Sequence, residues 1–176
     1  MLLRPTYRTK LFFAPQRCIV PPTGDKVSCS PLFDSELYFD YPTFNPLFKM
    51  NASFQFFYGI APKQANPASS RWFQSVLKFG SKTRTVLAEW SADDVYVTEP
   101  SFIPRRTHGG AEDDGVLFTV AFNATADQSS VVLLDAATLE LVEMFPLPEV
   151  IPFHAHGIHS RYTPGHADSK VWYPNP

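Results

Sequence analysis

The sequence predicts an all-β fold, and three stretches carry that expectation. RWFQSVLKF (71–79) is rich in aromatic and branched side chains, GSKT (80–83) supplies turn chemistry, and RTVLAEW (84–90) returns as a second strand. GVLFTVAF (115–122) alternates, so that Val116, Phe118, Val120 and Phe122 share one face of a strand. SSVVLLDAATLELVEMFPLP (129–148) reads as a hairpin turning at DAAT (135–138), its Val and Leu runs favouring strands over a short helix. Short strands at this spacing fit a sandwich, a barrel or the blades of a propeller. No strict internal repeat is present, but the two hairpins are spaced as successive blades would be.

Composition narrows the class. The 176 residues suffice for one ordinary domain, and 44% apolar content with 16 Phe rules out a disordered chain. Seventeen prolines against eight glycines indicate many short segments separated by loops. A net charge of -2 gives no electrostatic case for nucleic acid or an acidic membrane surface. No apolar run approaches the length of a membrane span. The start, MLLRPTYRTKLFF, is interrupted by Arg4, Pro5, Arg8 and Lys10, which makes it a poor signal peptide. The expected location is therefore the cytoplasm, with the sequons at Asn51 and Asn123 idle. Cys18 and Cys29 are too few for a disulfide framework and are expected to be reduced thiols.

Two polar stretches, NPASSRW (66–72) and IPRRTHGGAEDDG (103–115), read as loops, where function usually lies on an all-β scaffold. The chain before Leu37 reads as connectors between short strands. IPFHAHGIH (151–159) puts three of the five histidines into nine positions. On an extended strand His154 and His156 would share a face and His159 would oppose them. An H-x-H pair alone is weak evidence for a metal, because a structural site wants three or four ligands.

Several motifs occur in order: E-P-x-F-[IV]-P-R from Glu99 to Arg105, E-D-D-G-V-L at 112–117, L-D-A-x-T-L-E at 134–140, and L-P-x-x-[IV]-P-x-x-x-H-G at 147–157. Upstream, YFDYPTFN (38–45) is similar to F-E-F-P-x-x-N, and FFYGI (56–60) to the strand that follows it. Together they resemble the C-terminal part of the carotenoid cleavage oxygenases, a family that includes carotene-cleaving dioxygenases, stilbene-cleaving enzymes and a retinoid isomerohydrolase. The resemblance covers about 37–160 and extends to the earlier residues. It implies that residues 1–176 form the C-terminal blades of a seven-bladed β-propeller, incomplete in this chain, with iron(II) on the propeller axis. In the family four histidines hold the iron, and glutamates hydrogen-bond three of them. The last ligand lies in P-x-x-x-H-G, here Pro152 to Gly157, so the resemblance selects His156 and leaves His154 and His159 outside the ligand set. It makes Glu99 the carboxylate that supports that histidine, and it puts Asp40 where the family has another supporting glutamate, one methylene shorter here. Pro100, Pro104 and Arg105 are read as loop-shaping residues.

The implied activity is iron-dependent cleavage of a conjugated C=C bond of a carotenoid or apocarotenoid by dioxygen, giving two carbonyl products. A related reading keeps the iron and changes the reaction to ester cleavage with isomerisation of a retinoid. The partners are an apolar polyene and dioxygen, with peripheral membrane contact as the family's route to lipid-soluble substrates. The histidines stand at 108, 154, 156, 159 and 166, none at the upstream ligand positions. The expectation is that this polypeptide alone neither holds catalytic iron nor cleaves a polyene. The missing ligands are expected to reflect a gene fragment, a misplaced start at Met1 or a truncated transcript. The alternatives are a truncated non-catalytic paralogue that binds an apolar ligand or a full-length partner, and a β-sandwich interaction module.

Overall fold

A computed structural model of the chain describes residues 15–23, 26–33, 38–48, 54–63, 72–106, 108–152 and 156. Among them are eleven strands, one single-turn 3₁₀ helix (Pro46–Phe48) and no α-helix. The all-β expectation holds, and at two of the turns the reason is local: an Asx side chain at the strand end closes the turn.

A first antiparallel sheet runs β3 (Asp40–Thr43), β4 (Phe56–Ala61), β5 (Ser75–Gly80) and β6 (Thr85–Ser91), each strand beside the next in sequence. The β5–β6 turn closes when Arg84, at a left-handed φ of 58°, donates its amide to the Gly80 carbonyl over 2.8 Å. That places the turn one residue later than the sequence suggested. The second sheet runs β11 (Leu141–Pro146), β10 (Gln128–Asp135), β9 (Gly115–Asn123) and β7 (Val95–Val97), with β8 (Ser101–Pro104) also on β9. Asn123 Oδ1 accepts the amides of Thr125 and Ala126 to turn β9 into β10. Asp135 Oδ1 does the same for Ala137 and Thr138 at the β10–β11 turn. Each sheet is an up-and-down antiparallel meander, the form of a propeller blade.

The two sheets pack face to face. Tyr58, Ile60 and Val76 from the first meet Val97, Phe102, Leu117, Val132 and Leu134 from the second, all buried. On β9 the fully covered face is Leu117, Thr119 and Ala121, while Val116, Phe118, Val120 and Phe122 share the opposite, half-buried face. The reverse side of the first sheet carries an aromatic cluster in which Phe33, Phe39 and Phe57 surround Phe79 at centroid distances of 4.7, 4.5 and 5.1 Å. Gly59 is required there, because a Cβ would run into the Phe39 ring.

A polar seam locks the sheets together. Glu112, in the turn before β9, is buried, and its Oε1 accepts the amides of Gln55 (2.8 Å) and Phe56 (2.7 Å) at the start of β4. Asn45 donates to the Glu112 carbonyl over 2.9 Å. Lys78 on β5 is buried, donates to Asp113 Oδ2 and to the Ala137 carbonyl at 2.7 Å each, and lies 4.4 Å from the Phe56 ring centroid. The Tyr58 hydroxyl donates to the Ala136 carbonyl over 2.9 Å. Burial, reinforced by the Asp113, Glu112 and Asp135 carboxylates, pushes that phenol far above its ordinary range. Among the described residues no buried side-chain nitrogen or oxygen lacks a partner.

One expectation is corrected. Cys18 and Cys29 are not reduced thiols but a disulfide. β1 (Gln16–Ile19) and β2 (Ser28–Pro31) pair as a separate exposed ribbon whose register sets Cys18 opposite Cys29, with 4.1 Å between Cα atoms. Directly opposed positions of antiparallel strands bring side chains close enough to join. Arg84 tethers the ribbon by donating to the Leu32 and Pro31 carbonyls.

Two outcomes follow from this packing. Glu112→Ala leaves the Gln55 and Phe56 amides without their acceptor and is expected to destabilise the chain by about 1–3 kcal/mol per amide, with Glu112→Gln milder, as read from urea midpoints. Alkylation of the unreduced, denatured chain is expected to modify neither cysteine, and reduction beforehand to expose both.

Candidate metal-ligand site

The site is built on an interrupted strand. β7 and β8 lie end to end along β9, joined by Thr98, Glu99 and Pro100. The near flank of the interruption is pinned at Thr98: its amide donates to the Val120 carbonyl, and its carbonyl accepts the Thr119 hydroxyl over 2.8 Å. Pro100 is fully buried. Glu99 therefore leaves the ladder from a fixed backbone position, with its side chain 19% exposed.

His156 comes from the segment beyond β11. Ser129, buried at the start of β10, holds that segment to the sheet: its carbonyl accepts the Leu147 amide and its hydroxyl accepts the Ile151 amide. His156 Nδ1 lies 3.2 Å from Glu99 Oε2, bridging 57 positions of sequence. A carboxylate only accepts, so Nδ1 carries the proton and donates, and the Nε2 lone pair is left for a Lewis acid. The His156 side chain is 81% exposed, which leaves that nitrogen accessible. The Tyr41 ring packs edge-on against the imidazole at 5.7 Å between centroids, and Phe73 backs Tyr41 at 5.9 Å.

Of the residues singled out from sequence, the structure brings Glu99 and His156 together. Asp40 stands nearby on β3 but makes a different bond: its Oδ1 accepts the amide of Tyr41 over 2.8 Å. Among the described residues no hydrogen bond or ion pair joins Asp40 to His156. Its charge, after burial, raises the phenol of Tyr38. His154, His159 and His166 lie outside the described residues, and His108 is exposed on its loop. The Arg105 guanidinium lies on Asp135 at the end of β10 (2.5 Å) and near Asp114 in its own loop (3.6 Å). A cavity of about 580 Å³ lined by Arg105, Arg106, Asp113, Asp114 and Asp135 contains none of Tyr41, Glu99 or His156. Tyr41 and Phe73 were not read from the sequence as site residues. Tyr41 stands inside the matched YFDYPTFN motif, which was the one signal available.

Among the described residues no group of three or more His, Cys, Asp or Glu side chains could hold a metal ion. What they offer is a single oriented imidazole, whose donor chemistry suits a divalent metal.

Residues 7–161 match the model of the retinal pigment epithelial membrane protein family. The chain belongs to that family. A carotenoid cleavage oxygenase of Mycobacterium tuberculosis is 36% identical over 64 residues, 36% of this chain and 13% of that protein. The apocarotenoid-15,15'-oxygenase of Synechocystis is 34% identical over 86 residues, 48% of this chain and 17% of that protein. A glutamate-to-glutamine mutant of the Synechocystis apocarotenoid oxygenase superposes with a TM-score of 0.71 at 25% identity, over 81% of this chain and 29% of the other. The cobalt-substituted form of that oxygenase gives 0.65 at 25% identity, over 76% and 27%. The chain thus spans less than a third of the proteins it resembles, and its two sheets are blades of their β-propeller, which among the described residues do not close into a ring.

For this family member the Glu99 contact makes a spectroscopic claim. In ¹⁵N spectra at a pH where the imidazole is neutral, His156 is expected to favour the Nδ1–H tautomer. Glu99→Ala is expected to return it toward the Nε2–H form of a free imidazole, and Glu99→Gln, which keeps an acceptor oxygen, to fall between.

Proposed function

We propose that this chain supplies one iron ligand, His156, and its supporting carboxylate, Glu99, to an oxygenase that cleaves a conjugated C=C bond of a carotenoid or apocarotenoid. The observation that carries the proposal is the 3.2 Å contact between Glu99 and His156 at the interruption of the β7–β8 strand. Family membership and the names of the Synechocystis and mycobacterial relatives support the substrate class. A solved relative with cobalt in place of its metal supports a metal centre. Iron(II), when bound, supplies dioxygen activation, with both oxygen atoms ending in the two carbonyl products.

The chain's own residues do the rest of this share. Glu99 fixes which imidazole nitrogen is protonated and makes the ring a better donor. The Thr98–Thr119 clasp keeps Glu99 from drifting with the strand, and Ser129 sets where the segment carrying His156 crosses the sheet. A lone imidazole is too little for a catalytic site, so further ligands are required and the described residues do not provide them. Carotenoids are lipid-soluble, so peripheral access to a membrane belongs to this reading.

The test is a transplant. Residues 38–156 replace the equivalent segment of the Synechocystis apocarotenoid oxygenase, and iron content and apocarotenoid cleavage are measured. The chimera is expected to bind iron and yield two carbonyl products. Glu99→Gln is expected to cut activity by about 10–100-fold and His156→Ala to abolish both iron binding and cleavage. Full activity in the His156→Ala chimera, or a folded, iron-loaded chimera without activity, rejects the proposal.

A further inference from the structure

Asp40 and Tyr41 occupy a defect in the β3–β4 ladder. Asp40 pairs with Ile60 and Thr43 with Tyr58, so three steps along β3 match two along β4. The extra residue makes a bulge, a device that turns a side chain away from the direction the pleat would give it. Tyr41 takes the left-handed part of the bulge, at φ 52°, a conformation unfavourable for a residue with a bulky side chain. Pro42 follows and has no amide to offer the ladder. Asp40 Oδ1 bonds the Tyr41 amide over 2.8 Å, and Phe73 stands edge-on to the Tyr41 ring at 5.9 Å. These contacts direct the ring onto His156.

Glu99 alone leaves the imidazole incompletely fixed. A hydrogen bond to Nδ1 sets one atom of the ring, and the ring plane can still swing about that contact. An aromatic wall against the imidazole removes the swing. We propose that Tyr41 is a positioning residue for His156, and that Asp40 serves this contact by holding the Tyr41 backbone in its bulge. The proposal rests on the assignment of His156 as a ligand and adds to it the second restraint that aims its free nitrogen. The bond that Asp40 makes to the Tyr41 amide requires a short side-chain acceptor, and an asparagine Oδ1 meets that requirement as well as a carboxylate does.

The test is NMR on the 176-residue chain without metal, so its result does not depend on oxygenase activity. Two signals are followed at a pH where His156 is neutral: the ¹⁵N tautomer ratio of His156 and the nuclear Overhauser contacts between its ring protons and those of residue 41. Tyr41→Phe keeps the ring and is expected to leave the tautomer ratio and the contacts as in the parent. Tyr41→Gly accepts the left-handed backbone without strain but removes the ring, and it is expected to shift the ratio toward Nε2–H. Asp40→Asn is expected to match the parent, whereas Asp40→Ala is expected to lose the ring contacts and shift the ratio as Tyr41→Gly does. The Tyr41→Gly and Asp40→Asn chains keep the bulge and decide the matter even if Asp40→Ala fails to fold. A parent-like ratio in Tyr41→Gly, or an Asp40→Asn chain that loses the contacts, overturns the proposal. Failure of the transplant described above, with these NMR results as expected, would reject the metal assignment and leave the positioning geometry standing.

Discussion

Strand β9 is the constraint on which the candidate site depends. It is long enough to pair with two shorter strands in succession, and the gap between them is where the backbone departs from its ladder. A carboxylate on a continuous strand would be locked to one face by the pleat and could not be aimed independently. Interrupting the strand frees Glu99 from that alternation, while the hydrogen bonds of Thr98 to Thr119 and Val120 recover part of the order that the missing ladder bonds would have given. The same logic recurs on the neighbouring blade, where the bulge at Tyr41 releases one residue from the alternation of β3. Two departures from regular sheet, on two blades, converge on one imidazole.

The strands of the second sheet were legible because alternation and turn chemistry agree there: Asn123 and Asp135 stand where an Asx side chain closes a turn. The inward face of β9 was less legible. Leu117, Thr119 and Ala121 are less hydrophobic as a set than Val116, Phe118, Val120 and Phe122, yet they are the buried ones. Burial there is decided by which face meets the first sheet, and a single strand's pattern does not contain that information. The Cys18–Cys29 bond was hidden for a related reason. Eleven residues of spacing permit pairing only once the ribbon register is known, and that register is a property of how β1 lies against β2, which neither short strand's pattern contains.

The site was legible in proportion to how far it rests on motif. Glu99 and His156 lie in separate motifs whose order along the chain matches the family, and the structure joins them. Asp40 was also marked by motif, but its side chain is one methylene shorter than the glutamate expected, and that difference keeps its oxygen within reach of its own chain. Tyr41 has no sequence signature as a positioning residue, because its contribution comes from a left-handed backbone angle that no tyrosine advertises.

The lysine on β5 has a consequence for how the blade finds its alignment. Every residue from Ser75 to Gly80 is buried, so both faces of that strand are apolar environments and hydrophobic patterning gives little preference between them. Sliding β5 by one position would exchange the faces and carry the Lys78 ammonium from its Asp113 and Ala137 partners toward the Phe33, Phe39 and Phe57 rings. A desolvated charge without a partner is among the most unfavourable groups a protein interior can hold. Lys78 thus works as a registration peg: it adds little to the attraction between strands, but it makes the misaligned sheet too unfavourable to persist.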